Sequence, residues 1–140
     1  MQKIQYLLAI TLLLTSSMFV SCDDNSNSPG TSTPASGEWK VTYFFDKKVE
    51  TSIFSGFVFD FGSNGSLSAT QNGQTWSGTW STGFDDSKNK LLITFSGGAP
   101  SSLVELQEDW LIIKMDDNLI HLEHTSGGNG DTDVIHFERI

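Results

Sequence analysis

Phe57-Val58-Phe59-Asp60-Phe61-Gly62-Ser63-Asn64-Gly65-Ser66-Leu67-Ser68-Ala69-Thr70-Gln71-Asn72-Gly73-Gln74-Thr75-Trp76-Ser77-Gly78-Thr79-Trp80 is the stretch whose reading decides the fold. Phe57, Phe59 and Phe61 alternate with Val58 and Asp60, and Leu67 and Ala69 sit between Ser66, Ser68 and Thr70. Trp76, Gly78 and Trp80 then share a face opposite Ser77 and Thr79. A period of two places alternate side chains on one face of a sheet, so each run reads as a strand buried on one side. Gly62-Ser63-Asn64-Gly65 and Asn72-Gly73 interrupt these runs with residues that tolerate the positive φ of a tight hairpin turn. Asn-Gly between alternating runs is the strongest short hairpin signal. The stretch therefore predicts three strands in sequence order, joined by two hairpins.

The same pattern extends in both directions. Upstream, Trp39, Val41, Tyr43 and Phe45 alternate with Lys40 and Thr42. Downstream, Asp85 to Asn89 reads as a polar loop, and Leu91, Ile93 and Phe95 lead the next strand. Trp110 to Met115 and Leu119 to His124 flank a turn at Asp116-Asp117-Asn118, and Val134 to Ile140 follows the glycine-rich loop Ser126 to Asp131. One segment departs from the pattern. Ser102-Leu103-Val104-Glu105 has capping-box spacing, and Leu103, Leu106 and Trp110 fall at i, i+3 and i+7, which predicts a helix of one to two turns before Asp109. Eight strands with mostly short links predict an all-β domain, an eight-stranded antiparallel up-and-down β-barrel with one short helix. Closure would remove the exposed edges that invite aggregation. An open β-sandwich is the alternative.

Ahead of the domain, Met1-Gln2-Lys3 is a short positive start and Ile4 to Val20 is mostly apolar, ending in Phe19-Val20-Ser21-Cys22-Asp23-Asp24. A charged start, an apolar stretch and a small residue before the cut have the layout of a secretory signal peptide over residues 1–21. The apolar stretch is short for a spanning helix, carries Thr11, Thr15, Ser16 and Ser17, and has no Lys or Arg after it. Cys22, the single cysteine of the 140 residues, resembles the lipobox cysteine of bacterial lipoproteins, whose thiol is acylated and becomes the new N-terminus. Phe19 stands where that box usually has Leu. Cys22 is accordingly expected to be lipidated, with the membrane as a partner through that anchor. Asp23-Asp24 resembles either an inner-membrane retention signal or a tag for export to the cell surface; an outer-membrane lipoprotein exposed at the surface is the expectation. Asp23 to Ser36 contains one Ala and no larger aliphatic or aromatic side chain, so residues 22–36 are expected to form a disordered tether. Such a tether would reach roughly 20 Å. Residues 37–140 then form the domain.

Gly37-Glu38-Trp39 resembles the Gly-x-Trp that opens lipocalin barrels. With Phe57 to Phe61, Asn64-Gly65, Gly78-Thr79-Trp80, Leu91 to Phe95, Asp109-Trp110 and His136 to Arg139, it is similar to the small lipocalin-like lipoproteins of Gram-negative bacteria. The resemblance implies a barrel with room for a small apolar ligand. Trp39, Phe57, Phe59, Trp76, Trp80 and Ile93 are the residues expected to line such a site, with Gly78 leaving a gap between Trp76 and Trp80. The rival expectation is a filled barrel, an interaction protein that engages another protein or a glycan through its loops.

Charge and motif narrow the classes further. With 8 basic against 17 acidic residues the net charge is −9, which argues against nucleic acid as a partner. No Gly-x-Ser-x-Gly elbow, His-Glu-x-x-His pair or Gly-Lys-Ser/Thr phosphate loop occurs, so no enzyme is expected. His121 and His136 can meet across a hairpin near Glu123 or Glu138, and Asp131 and Asp133 lie near the glycine-rich loop. Neither set has the spacing of a zinc or calcium site, so no metal and no cofactor are expected. The domain is expected to be monomeric.

Overall fold

In the computed structural model, residues 33–125 and 130–140 are described, so Cys22 and residues 126–129 of the glycine-rich loop lie outside them. The strands are β1 (Glu38–Asp46), β2 (Lys48–Val49), β3 (Val58–Phe61), β4 (Ser66–Gln71), β5 (Gln74–Asp85), β6 (Lys88–Phe95), β7 (Asp109–Met115), β8 (Leu119–Thr125) and β9 (Thr132–Arg139). A 3-10 turn spans Thr51–Phe54, and the single α-helix among the described residues, α1, spans Ser101–Val104. From β3 to β9 each strand pairs antiparallel with the next. β1 pairs with β3 on one side and β9 on the other, Trp39 lying opposite both Phe59 and Arg139. That double pairing closes the sheet. The two-residue β2 pairs only with the end of β1, so the fold is an all-β, closed, antiparallel up-and-down barrel of the eight strands β1 and β3 to β9 with one short helix, and the open sandwich is excluded.

Most inward positions follow the alternation. Phe57, Phe59, Phe61, Leu67, Ala69, Leu91, Ile93, Trp110, Ile120, Leu122, Ile135 and Phe137 are all buried in one cluster. Burying a side chain such as Phe59 contributes about 1.5–3 kcal/mol. β1 is different. The register against β9 shifts between Val41 and Tyr43, and beyond that bulge Phe44 is buried while Tyr43 and Phe45 are only half-buried. A bulge inserts one residue and moves the following side chains to the other face. The expected inward set of Tyr43 and Phe45 is therefore corrected to Phe44.

Three local expectations also change. Asp85 to Asn89 is not a loop: β5 and β6 continue to Asp85 and Lys88, leaving a two-residue turn in which Asp86 and Ser87 have φ of 48° and 61°. The capping box does not form, because the helix starts two residues earlier than a Ser102 cap would place it, behind Pro100 at the N-cap, with no side-chain cap bond. Proline presets an extended entry, and Leu103 and Leu106 are buried as the periodicity predicts. The short β2 and the 3-10 turn were not anticipated; there Phe54 is buried against Phe44, and Thr51 Oγ1 accepts the Phe44 N–H at 2.9 Å.

The two ends of the barrel differ. At one end, Ala35 packs on the core and its carbonyl accepts the Trp39 indole N–H at 3.1 Å, while Arg139 donates to the Ser36 carbonyl at 2.7 Å. Packing thus begins slightly ahead of Gly37. The other end carries α1, the 3-10 turn, the start of β7 and the end of β8.

Candidate functional site

The six residues expected to line a ligand site do converge, and they fill the space between them. Trp39, Phe57, Phe59, Trp80 and Ile93 are buried, and Trp76 packs on the same core. The rings run in continuous contact: Trp76 to Phe57 at 5.7 Å, Phe57 to Phe59 at 5.9 Å and Phe59 to Phe137 at 5.3 Å. Phe137 then meets Phe61 at 5.6 Å, and Phe61 meets both Trp39 and Trp80 at 6.4 Å. These are ordinary aromatic packing distances. An eight-stranded barrel is just wide enough for side chains to fill, and aromatic rings fill this one.

The Gly78 gap is closed as well. A Cβ there would strike the Thr94 carbonyl and come within 2.9 Å of the Phe95 ring. The glycine permits close approach of β6 and leaves its space to Phe95. Trp80, rather than facing a vacancy, donates its indole N–H to the Gly62 carbonyl at 2.9 Å and pins the turn before β4.

A cleft of about 290 Å³ lies outside the barrel, lined by Lys88, Lys90, Asp109, Leu111, Glu123, His124 and Thr125. Its position follows from register, since Lys90 pairs with Leu111 and Leu111 with Glu123 across β6, β7 and β8. Lys90 Nζ bonds Asp109 Oδ2 at 2.8 Å and lies 3.6 Å from Asp85 Oδ2. That hydrogen bond holds the Asp109 carboxyl below, and the Lys90 ammonium above, their usual ranges. His124 sits beside this pair. Its Nε2 is 3.7 Å from Glu108 Oε2 and 3.8 Å from Asp109 Oδ1, and its Nδ1 is 3.7 Å from Asp133 Oδ2. The Trp110 ring, edge-on at 6.0 Å, supports the imidazole from the core side. Burial, with Asp46 adding to it, pushes the Asp133 carboxyl up, and His124 pulls it back.

The histidines considered from sequence meet as expected: His121 and His136 pair across β8 and β9, with ring centroids 4.4 Å apart. Burial, then the neighbouring His121, pushes the His136 imidazole down, against a smaller opposing pull from Glu138. Sequence reasoning missed the grouping of Glu108, Asp109, His124 and Asp133. No local spacing announces it, because three strands and a turn supply its members.

No protein-family model and no curated protein matches the sequence. Among solved structures, the barrel matches the crystal structure of a DUF4847 family protein from Bacteroides vulgatus. The likeness is one of fold. The TM-score is 0.54 at 20% identity, over 76% of this chain and 94% of that one. It joins the closed barrel to a known architecture and assigns no chemistry to the cleft.

Proposed function

We propose that this chain is an outer-membrane lipoprotein, acylated at Cys22 and exposed at the cell surface, whose barrel is a non-catalytic binding module working through its outer surface. The observation that carries the reading is the filled interior. The six residues that an apolar ligand would need are spent on one another, which favours the interaction-protein alternative over a lipocalin-like calyx. The leader ending at Ser21-Cys22 supports the anchor, and the resemblance of Gly37-Glu38-Trp39 to lipocalin openings supports kinship of architecture rather than of ligand.

Polarity of the barrel supports the same reading. The chain enters beside Trp39, at the end where Arg139 holds Ser36. β8 runs from Leu119, opposite Glu138 near that end, to Thr125, and His124 lies five residues along it. At about 3.3 Å per residue this carries the cleft roughly 17 Å from the tethered end. A tether attached at one end presents the other to a partner. The cleft carries both signs of charge over a Leu111 floor, which suits a segment of polypeptide.

Native mass spectrometry of the gently purified full chain tests the module. The expected result is a mass with no adduct beyond the acyl groups at Cys22, and no enhancement of an apolar fluorescent probe over that in the detergent alone. A reproducible adduct lost on unfolding would overturn the filled-barrel reading. For the anchor, fatty-acid labelling in the bacterial host is expected to vanish in Cys22→Ser, and labelling that persists would remove Cys22 from the account.

A further inference from the structure

We propose that Glu108, Asp109 and His124 form a binding site for one divalent transition cation of the zinc class, with Asp133 orienting the imidazole. One ligand atom from each of the three residues lies within 4.8 Å of the other two. Metal–ligand bonds of about 2.0–2.2 Å at tetrahedral angles put ligand atoms about 3.4 Å apart. The 3.7 and 3.8 Å separations from His124 Nε2 to Glu108 and Asp109 need only small rotations to reach that geometry.

The surroundings of each ligand point the same way. Lys90 bonds Oδ2 of Asp109 and leaves Oδ1 turned toward His124. On the far side of the ring, Nδ1 is buried without a hydrogen-bond partner among the described residues, with the Asp133 carboxylate 3.7 Å away. A small rotation that brings this carboxylate to hydrogen-bond distance would keep the proton on Nδ1 and aim the Nε2 lone pair at the metal, the usual arrangement of a zinc-bound histidine. Trp110 fixes the ring plane from inside the barrel.

Charge supplies a further argument. With a neutral imidazole, the carboxylates of Glu108, Asp109, Asp133 and Asp85 against the Lys90 ammonium leave a net charge of −3, of which a divalent cation neutralises two. Lys88 and Glu123, which also line the cleft, offset each other. The imidazole nitrogen favours zinc, cobalt or nickel over magnesium and calcium, which take oxygen ligands. Remaining coordination positions open on the cleft, where water or a partner's side chain completes the shell. The inference is independent of the filled-barrel reading, since none of its residues belongs to the aromatic interior.

The test uses the untagged full chain in detergent micelles, stripped with a chelator and titrated with Zn²⁺ by calorimetry, then with Co²⁺ by visible absorption. One ion per chain is expected, with a Co²⁺ spectrum of nitrogen and oxygen ligation and no competition from equimolar Mg²⁺. His124→Ala and Glu108→Gln are each expected to lower Zn²⁺ affinity at least tenfold. Asp133→Asn should lower it by about 10- to 100-fold, as loss of an orienting carboxylate does. His121→Ala should leave it unchanged. Glu108 is about half exposed, so Glu108→Gln remains informative if His124→Ala fails to fold. Absence of stoichiometric binding would overturn the site. So would binding that survives both His124→Ala and Glu108→Gln, or that is lost in His121→Ala.

Discussion

At the scale of single residues, the outer face of β8 and β9 holds a titratable contact whose sign can be worked out. His136 meets His121 edge-on at 4.4 Å and lies tilted against Tyr43 at 5.2 Å, and its Nε2 is buried without a hydrogen-bond partner among the described residues. Burial, then His121, lowers its pKa from the ordinary 6.5. The folded state therefore takes up this proton less readily than the unfolded chain, and protonation favours unfolding. Stability from this group is fully present above pH 6.5 and is lost as pH falls through the lower folded value. Urea denaturation at pH 7.5 and pH 5 is expected to show that loss. In His136→Phe, which keeps a ring against Tyr43, the difference should shrink; an unchanged slope would assign the pH effect elsewhere. A second residue-scale prediction concerns Asp86 and Ser87, both at positive φ without a glycine. Asp86→Asn with Ser87→Gly supplies the residues that such a turn favours. A stabilisation of about 0.5–1 kcal/mol is expected, read as a higher urea midpoint at unchanged slope.

At the scale of elements, what could be read in advance was whatever depends on local period. Phe57, Phe59 and Phe61 announced β3 because every second side chain goes inward, and Asn72-Gly73 announced its hairpin because both residues sit at positive φ, 51° and 79°. The bulge in β1 could not be read, because Val41-Thr42-Tyr43-Phe44 offers an apolar residue on either face and only pairing with β9 chooses Phe44. The cleft was illegible for a related reason. Glu108 and Asp109 are adjacent in sequence, but His124 reaches them through the β7–β8 register and Asp133 reaches His124 through that of β8 and β9. Gly78 was legible as a gap and not as a filled one, since Phe95 arrives from the next strand. Two consequences follow for the elements themselves. Gly78→Ala drives a methyl group into the Thr94 carbonyl and the Phe95 ring, and the expected cost is about 1–3 kcal/mol in chemical denaturation. Pairing is also uneven: β6 meets β7 through three residue pairs, and the flanking Ile93 N–H to Glu108 carbonyl bond is long at 3.4 Å, whereas β5 and β6 share eight pairs. Amide exchange at Asp109 to Leu111 should outpace that at Thr79 to Ser81, because fewer ladder bonds must break for local opening. Equal protection would mean that the β6–β7 seam is held by more than its ladder.

At the scale of the whole molecule, closure makes the first and last strands interdependent. Trp39 and Arg139 are paired although nearly the whole domain separates them in sequence, and such long-range pairing places folding in the millisecond-to-second range typical of all-β domains. Phe137 stitches that seam to β3 on the far side of β1, with its ring 5.3 Å from Phe59 and 5.6 Å from Phe61. Truncating it opens a cavity at the point where β9, β1 and β3 meet, so Phe137→Ala is expected to cost about 3–5 kcal/mol. Because β1 pairs on both sides, loss of β9 also strips partners from β1. Trp39, Trp76, Trp80 and Trp110 are spread over β1, β5 and β7 and report on the interior, while far-UV circular dichroism reports on the ladders. In a closed barrel the two signals should lose structure together, in Phe137→Ala as in the parent chain, with only the midpoint displaced. A variant whose fluorescence changes before its ladders melt would show that the seam opens first, and the barrel would then be a sheet held shut by its aromatic filling rather than by the pairing of its ends.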